Sequence, residues 1–224
     1  MGDAETTAAS AIITKVLYRL RDPDGTVYNA DGAYAELLGY LDTCLEDIHE
    51  ILVNEKSELA RTGTGTITTA AGTQSYVLAD NSMGDFWTME RIWVSTYEPM
   101  EECTIDDLHD VINLEEDSQT AHRCLPTEYC LQADSVWFRE SPDDTYTVYL
   151  RYYPNYVPLT GTTANMPYRG LFNNEIIQGT VLLCKHRNEE NPQIDAVLKD
   201  LFHSRAMKIM NRRRKKTVGF KPKV

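Results

Sequence analysis

The sequence has no long apolar run, no leader-like start and no paired cysteine motif. Its apolar stretches fall well short of the roughly 20 residues that a membrane-spanning helix needs. The first five residues include two acidic side chains and are not followed by the apolar segment of an export signal. The five cysteines are odd in number and scattered, which is typical of reduced thiols in a cytoplasm rather than of a disulfide scaffold. We therefore expect a protein made in the cytoplasm, without a membrane anchor.

Motifs that carry catalytic chemistry are also missing. The sequence contains no P-loop, nucleophile elbow, zinc-ligand spacing or HExxH pair. The glycine pair in residues 62–65 lacks a preceding strand and a following helix, which favours a strand or turn over a phosphate cradle. The histidines at 49, 122, 186 and 203 stand apart in sequence from any Ser or Cys that could act as a nucleophile. The sequence therefore predicts neither an enzyme nor a cofactor.

Acidic side chains are absent from the last twenty residues, 205–224, which carry nine Lys or Arg. All 34 acidic residues lie in the rest of the chain, so the net charge of −12 combines an acidic body with a basic end. Such a charge separation predicts an interaction tail, although a basic run alone is equally compatible with nucleic-acid binding or localisation. The candidate binding residues of this tail are Arg212, Arg213, Arg214, Lys215, Lys216, Val218, Phe220 and Lys221.

Basic side chains are in turn absent from residues 98–117, which hold nine acidic ones. The cluster Asp106, Asp107, His109 and Asp110 contains possible metal ligands, but a loop rarely supplies coordination geometry by itself. This pattern favours an exposed acidic loop that faces solvent or a partner, and it predicts no metal site. The candidate residues of this loop are Glu101, Glu102, Asp106, Asp107, Asp110, Glu115, Glu116 and Asp117.

Apolar periodicity divides the chain into helical ends and a strand-like centre. Spacings near 3.6 predict helices near 8–21, 31–56, 171–188 and 192–212, the second of them capped by Asn29 or Asp31. Short Thr-, Gly- and Tyr-rich segments between them predict strands, and residues 141–144 are typical of a hairpin turn. We predict an α+β fold in which the N- and C-terminal helices form a bundle and the centre is a β-rich, sandwich- or barrel-like insert.

The domain boundaries follow from the same changes in pattern. Residues 1–60 are predicted to supply the N-terminal helices of the bundle and residues 160–211 its C-terminal helices. Residues 61–159 form the β-rich lobe, with the acidic insertion at 98–122. Residues 212–224 form the basic docking tail.

Several strings in the sequence resemble the head-to-tail adaptor (connector) proteins of tailed bacteriophages. The turn at 22–25, the segment 27–31 and the helix start at 35–41 are similar to the N-terminal signature of that family. Residues 71–78 resemble its glycine-to-tyrosine strand, and 145–153 its late Tyr-rich strand. Leu159-Thr160 and the two closing helices match as well, so the resemblance covers most of the chain. The acidic insertion has no counterpart in this pattern, and Ala79-Asp80 stands where the family often has a proline.

The resemblance implies a structural virion protein without catalytic activity. Copies of such a protein form a ring, usually of twelve, that docks on the portal protein, extends the DNA channel and offers a platform to a tail or nozzle protein. Genomic DNA would pass through the lumen without specific binding, and the basic tail would be the portal contact. Two other classes stay open from the residues alone: a nucleic-acid-binding protein that uses the basic tail, and a metal-dependent hydrolase that uses the acidic insertion.

Overall fold

The computed structural model describes residues 7–28, 34–57, 59–60, 62–94, 99–107, 123–186 and 192–217, with only the backbone for 169, 192 and 212–217. The chain forms two compact units. One combines Met1–Ala60 with Tyr156–Val224 and is helical, and the other is Arg61–Asn155 and contains the strands. Helices at both ends and a β-rich centre confirm the predicted α+β class.

The first helix, α1 (Ala9–Leu20), buries Ile12, Ile13 and Val16 along one side. No side chain caps its start. Instead, the N–H groups of Ala9 and Ser10 donate to backbone carbonyls of residues 164 and 162, at 2.9 and 2.8 Å. These bonds satisfy donors that the first turn of a helix leaves free. The C-terminal half of the chain therefore completes the N-terminal helix.

The other helices of this unit are α2 (Ala35–Asn54), α3 (Asn173–Lys185) and α4 (Pro192–Thr217). Helix α3 packs against α1, α2 and α4, while α2 also packs against α4. Their contact buries the apolar stripe of α2 completely at Leu37, Leu41 and Leu45. Burying such side chains contributes about 1.5–3 kcal/mol each, which no single helix of this length could obtain in isolation.

Two helix ends differ from the sequence-based prediction. Helix α2 begins at Ala35 rather than 31, after Tyr34 in the left-handed region at φ 55°, and no side chain caps it. The predicted caps, Asn29 and Asp31, lie outside the described residues. Helix α4 continues to Thr217 instead of ending near 212, so it includes the basic run 212–216. Arg and Lys are good helix formers, and positive charge is favourable at a helix C-terminus.

The strands of the second unit form three sheets. In chain order they are β1 (Gly63–Thr68), β2 (Ser75–Val77), β3 (Phe86–Val94), β4 (Glu101–Glu102), β5 (Arg123–Cys124), β6 (Glu128–Gln132), β7 (Ser135–Phe138), β8 (Ser141–Pro142) and β9 (Thr147–Pro154). The sheet orders are β1-β9-β3, β2-β7-β6-β4 and β5-β8. The two larger sheets share one core, to which Ile92 and Leu150 come from the first and Val136 and Phe138 from the second.

The predicted hairpin turn at residues 141–144 is wrong. Strand β9 pairs with β1 on one side and β3 on the other, so it has no free edge for β7. Residues 139–146 instead cross from one sheet to the other, and Ser141–Pro142 pairs in parallel with Arg123–Cys124. The hairpin of this region joins β6 to β7 through a two-residue turn, in which Ala133 has φ 52°.

Candidate interaction surfaces

The described part of the acidic insertion begins as a strand. Glu101 and Glu102 form β4, which pairs in parallel with Glu128 and Tyr129 of β6. The N–H of Cys103 then donates to the carbonyl of Tyr129 at 2.8 Å. Both glutamates are exposed. Backbone pairing therefore fixes where these two carboxylates leave the β-rich unit, while their side chains stay accessible.

Beyond this strand, Asp107 and Thr104 form reciprocal hydrogen bonds that cap the start of a helical segment. One carboxylate oxygen of Asp107 accepts the Thr104 N–H at 3.1 Å and its hydroxyl at 2.6 Å, and the Asp107 N–H donates to that hydroxyl oxygen at 3.2 Å. These hydrogen bonds to Thr104 hold the pKa of Asp107 below its ordinary value. Helical backbone starts at Ile105. Asp107 thus serves as a helix-start residue, whereas Asp106 is simply exposed.

The other four candidates of this loop, Asp110, Glu115, Glu116 and Asp117, lie outside the described residues. Within the described ranges, no group of three or more His, Cys, Asp or Glu could hold a metal ion. A groove of about 390 Å³ lies beside β4. Its lining combines apolar side chains with two carboxylates: Val94, Pro99, Met100, Glu101, Leu125, Pro126, Thr127 and Glu128.

Arg139 partly neutralises this acidic region. Its guanidinium donates to Glu128 at 2.6 Å, an ion pair whose two side chains are both partly exposed. Hydrogen bonding to Glu128 and the nearby charges of Glu128, Glu140 and Asp107 raise the pKa of Arg139. Glu101, Glu102 and Asp106 have no such basic partner among the residues that the structure describes. The region therefore presents a net negative surface.

The basic tail is described only in part. Residues 212–216 belong to the last turns of α4, where the backbone is helical. Val218, Phe220 and Lys221 lie outside the described residues. The structure therefore brings the five consecutive basic residues onto one helix end, and the apolar members of the predicted tail follow it in sequence.

Sequence reasoning missed an aromatic surface on the three-stranded sheet. The rings of Trp93 and Tyr149 stack with centroids 5.8 Å apart, and the Arg91 guanidinium lies 5.4 Å from the Trp93 ring centre. Arg151, on the same face, pairs with Glu90 at 2.8 Å. The alternation of side chains along each strand indicates which residues point to the same face. Only the pairing of β3 with β9 places Trp93 beside Tyr149.

A second missed cluster explains one of the histidines. His49 is buried in α2, and its Nδ1 is hydrogen bonded to the Tyr168 hydroxyl at 2.8 Å. Nearby, the Tyr156 hydroxyl and the Leu159 N–H donate to the same oxygen of Asp42, at 2.8 and 2.9 Å. Burial is the main reason that the pKa values of Tyr156 and Tyr168 are raised. These contacts fasten residues 156–168 to α2 and give these side chains a structural role.

The molecule thus combines a helical unit with a β-rich unit that presents charged and aromatic surfaces. No helix in its described part is long and apolar enough to span a membrane. The family model described as the SU10 adaptor protein matches residues 7–220. The chain therefore belongs to the SU10 adaptor protein family, which confirms the resemblance to phage head-to-tail adaptors. A search of the curated proteins finds no match.

Proposed function

We propose that this chain is a ring-forming head-to-tail adaptor of a tailed bacteriophage particle. In this role it docks on the portal protein, extends the DNA channel and provides the platform to which a tail or nozzle protein binds. The observation that carries the proposal is the family match over residues 7–220, because it covers both the helical and the β-rich unit. The protein acts as a structural part of the virion.

The charge distribution supports passage of DNA without retention. The chain carries a net charge of −12, and its largest basic cluster is confined to residues 205–224. Nonspecific DNA binding depends on Lys and Arg side chains that displace counterions from phosphates. A lumen formed by the acidic body of the subunits therefore repels the phosphate backbone and lets DNA slide through. Identical subunits packed head to tail around an axis form such a closed ring.

The basic tail is the proposed portal contact. Five consecutive basic residues at the end of α4 attract an acidic surface over a long range, and this attraction accelerates encounter. Val218 and Phe220 follow directly and supply apolar anchors for the bound state. Pro222 restricts the free chain and so reduces the entropy that is lost on docking.

The acidic loop is the proposed contact for the downstream partner. Glu101, Glu102 and Asp106 are exposed, and the pairing of β4 with β6 fixes their starting point. A tail or nozzle protein with a basic surface would complement them. In this proposal the basic tail binds the portal protein, and the acidic loop binds the tail or nozzle protein.

Binding to purified portal protein, in the absence of DNA, tests the tail assignment. We compare the intact protein, a truncation lacking residues 212–224, and a full-length variant in which residues 212–216 are Gln. The Gln variant keeps the length of α4 and removes only charge. We expect the intact protein to bind, the truncation to lose binding, and the Gln variant to associate more slowly.

Equal portal binding by all three proteins would remove the tail as the portal anchor. The same three proteins are then titrated with duplex DNA at increasing salt. Strong, salt-sensitive DNA binding by the intact protein alone would make a nucleic-acid-binding protein the better assignment. Hydrolytic activity that is lost when Asp106, Asp107 and Asp110 are all replaced by Asn would contradict a purely structural role.

A further inference from the structure

The outer face of α1 is basic and aromatic, although the protein as a whole is acidic. Residues 7–21 contain Lys15, Arg19 and Arg21 and no acidic side chain. Lys15 and Arg19 are exposed and lie one helical turn apart, and Tyr18 between them is 75 % exposed. Across the described residues, none of these three side chains has a hydrogen bond or an ion pair. The helix thus presents a large ring between two cations to solvent.

The same helical unit carries a surface of opposite character. A groove of about 430 Å³ lies between α2 and α4 and is lined by Asp47, Glu50, Ile51, Asn54, Lys199, Asp200 and His203. Glu46 and Asp195 also act on Asp47. Among the residues that the structure describes, five carboxylates therefore surround this groove, and Lys199 is the one Lys or Arg that lines it.

Most of the charged groups that act on Asp47 are carboxylates. Partial burial raises the pKa of Asp47, and the carboxylates of Glu50, Asp195 and Glu46 raise it further. Lys199 acts in the opposite direction and lowers it. A cation brought into the groove would relieve this repulsion. The groove also offers apolar contact at Ile51, which lines it and is half-buried.

The two surfaces occupy different helices, and the main packing partner of α1 is α3 rather than α2 or α4. Helix α1 packs on α3, whereas the groove is formed by α2 and α4. Neither Lys15 nor Arg19 forms an ion pair with a groove residue within the described part of the subunit. The two surfaces can neutralise each other between two copies, and such a contact is heterologous, which is the type that generates rings.

We propose that the Lys15–Tyr18–Arg19 face of α1 docks into the α2–α4 groove of a second copy of this chain, with the Tyr18 ring against Ile51 and the two cations among the carboxylates. This inference rests on the proposed ring-forming function and names the surface through which neighbouring subunits associate. The complementary charges set the register, and the tyrosine supplies the buried area that exposed charges alone lack.

Charge reversal on each side tests this contact. The variants are Lys15→Glu/Arg19→Glu, which reverses the face, and Glu50→Lys/Asp200→Lys, which gives the lining side chains of the groove a net positive charge. Lys185→Glu/Lys208→Glu is the matched control for the face variant, because it makes the same charge change at exposed helical positions outside both surfaces. Mass is measured by sedimentation at low salt, and circular dichroism checks that every variant is folded. We expect ring-sized mass for the wild type and the control, and the 25.5 kDa monomer for each reversed variant.

Mixing the two reversed variants provides the decisive result. Each variant alone opposes like charges across the contact, whereas the mixture again places opposite charges together in both directions. We expect the 1:1 mixture to recover an assembled mass, and Tyr18→Ala to weaken assembly at least tenfold without altering the fold. Recovery by mixing would not occur if the substitutions had merely damaged the helices.

Three outcomes would overturn the inference in distinguishable ways. Ring formation by both reversed variants would agree with the proposed ring but exclude this surface as the contact between subunits. Rings that depend on residues 212–224 but not on Lys15 and Arg19 would place the basic tail of the neighbour in the groove instead. A wild-type protein that stays monomeric alone, and as the portal-bound form, would contradict both the contact and the ring.

Discussion

The ring of Tyr152 lies directly over the backbone of Gly63. A β-carbon placed on Gly63 would come within 2.5 Å of the tyrosine Cζ atom. The Tyr152 ring therefore occupies the space that a side chain at position 63 would need, and the Tyr152 hydroxyl donates to Asp85 at 2.7 Å. Gly63 is explained by this packing rather than by a phosphate site.

Gly63→Ala is expected to destabilise the protein by about 1–3 kcal/mol, because the added methyl group must displace a buried aromatic ring. Urea denaturation measured by tryptophan fluorescence gives the change in the free energy of unfolding. Thr64→Ala is the matched control, since Thr64 is exposed in the same strand and should cost less than about 0.5 kcal/mol. Equal stability of the two variants would show that Tyr152 can move aside.

Gly179→Ala and Gly39→Ala should have opposite effects although both glycines lie within helices. A β-carbon on Gly179 would meet Cys44 at 2.8 Å and Phe202 at 2.9 Å, while none of the atoms near Gly39 would come within 4 Å. Alanine stabilises a helix interior by about 0.5–1 kcal/mol relative to glycine. We expect that gain at Gly39 and a net loss of about 1–2 kcal/mol at Gly179, measured by chemical denaturation. A stabilising Gly179→Ala would contradict the tight contact of α3 with α2 and α4.

Asp42→Ala should release the segment that follows the β-rich unit. The substitution removes the acceptor for both the Tyr156 hydroxyl and the Leu159 N–H, so two partly buried donors lose their partner. We expect a loss of about 1–3 kcal/mol, against about 0.5–1.5 kcal/mol for Tyr156→Phe. Asp42→Asn keeps a carbonyl oxygen and should recover most of the difference. A double-mutant cycle measures the coupling, and additive effects would show that the bond contributes little.

The helical half of the fold was predictable because its signal is local. The stripe Leu37, Leu41 and Leu45 repeats with the period of a helix, and each of these side chains is fully buried in the structure. The predicted positions of the helix ends were less accurate. Tyr34 in the left-handed region is not a recognised N-cap, and the completion of α1 by carbonyls of residues 162 and 164 depends on contacts far along the chain.

Strand pairing could not be read from the same kind of pattern. Strand β9 lies between β1 and β3, and nothing within residues 147–154 states which strands will be its neighbours. Ala133 takes the positive φ in the β6–β7 turn without the Asn-Gly or Asp-Gly pair that marks such turns, so the true hairpin gave no signal. Pro142-Asp143 is typical of a hairpin turn, but in the structure these residues belong to a connection between two sheets. The stacked pair Trp93 and Tyr149 depends on this pairing and was missed with it.

Alkaline pH should destabilise the helical unit through Cys44. This thiol is fully buried beneath Gly179, and burial raises its pKa from 9.0 to about 12, although a contact with the Thr180 hydroxyl at 3.9 Å opposes the shift. Between these two values the unfolded chain ionises its thiol while the folded protein keeps the proton. The stability contributed by the buried thiol is therefore intact below pH 9 and is lost as the pH rises towards 12.

The measurement compares the wild type with Cys44→Ala in a reducing buffer between pH 7 and pH 10.5. At pH 7 the wild type should be the more stable protein, because alanine leaves a small cavity. Above pH 9 that advantage should shrink, at a rate of up to about 1.4 kcal/mol per pH unit for a single proton. Cys124→Ala removes an exposed thiol whose pKa is also raised, first by burial, and it should change the pH dependence less than Cys44→Ala does. A wild-type advantage that stays constant to pH 10.5 would mean that water reaches Cys44 and that its ionisation costs the fold little.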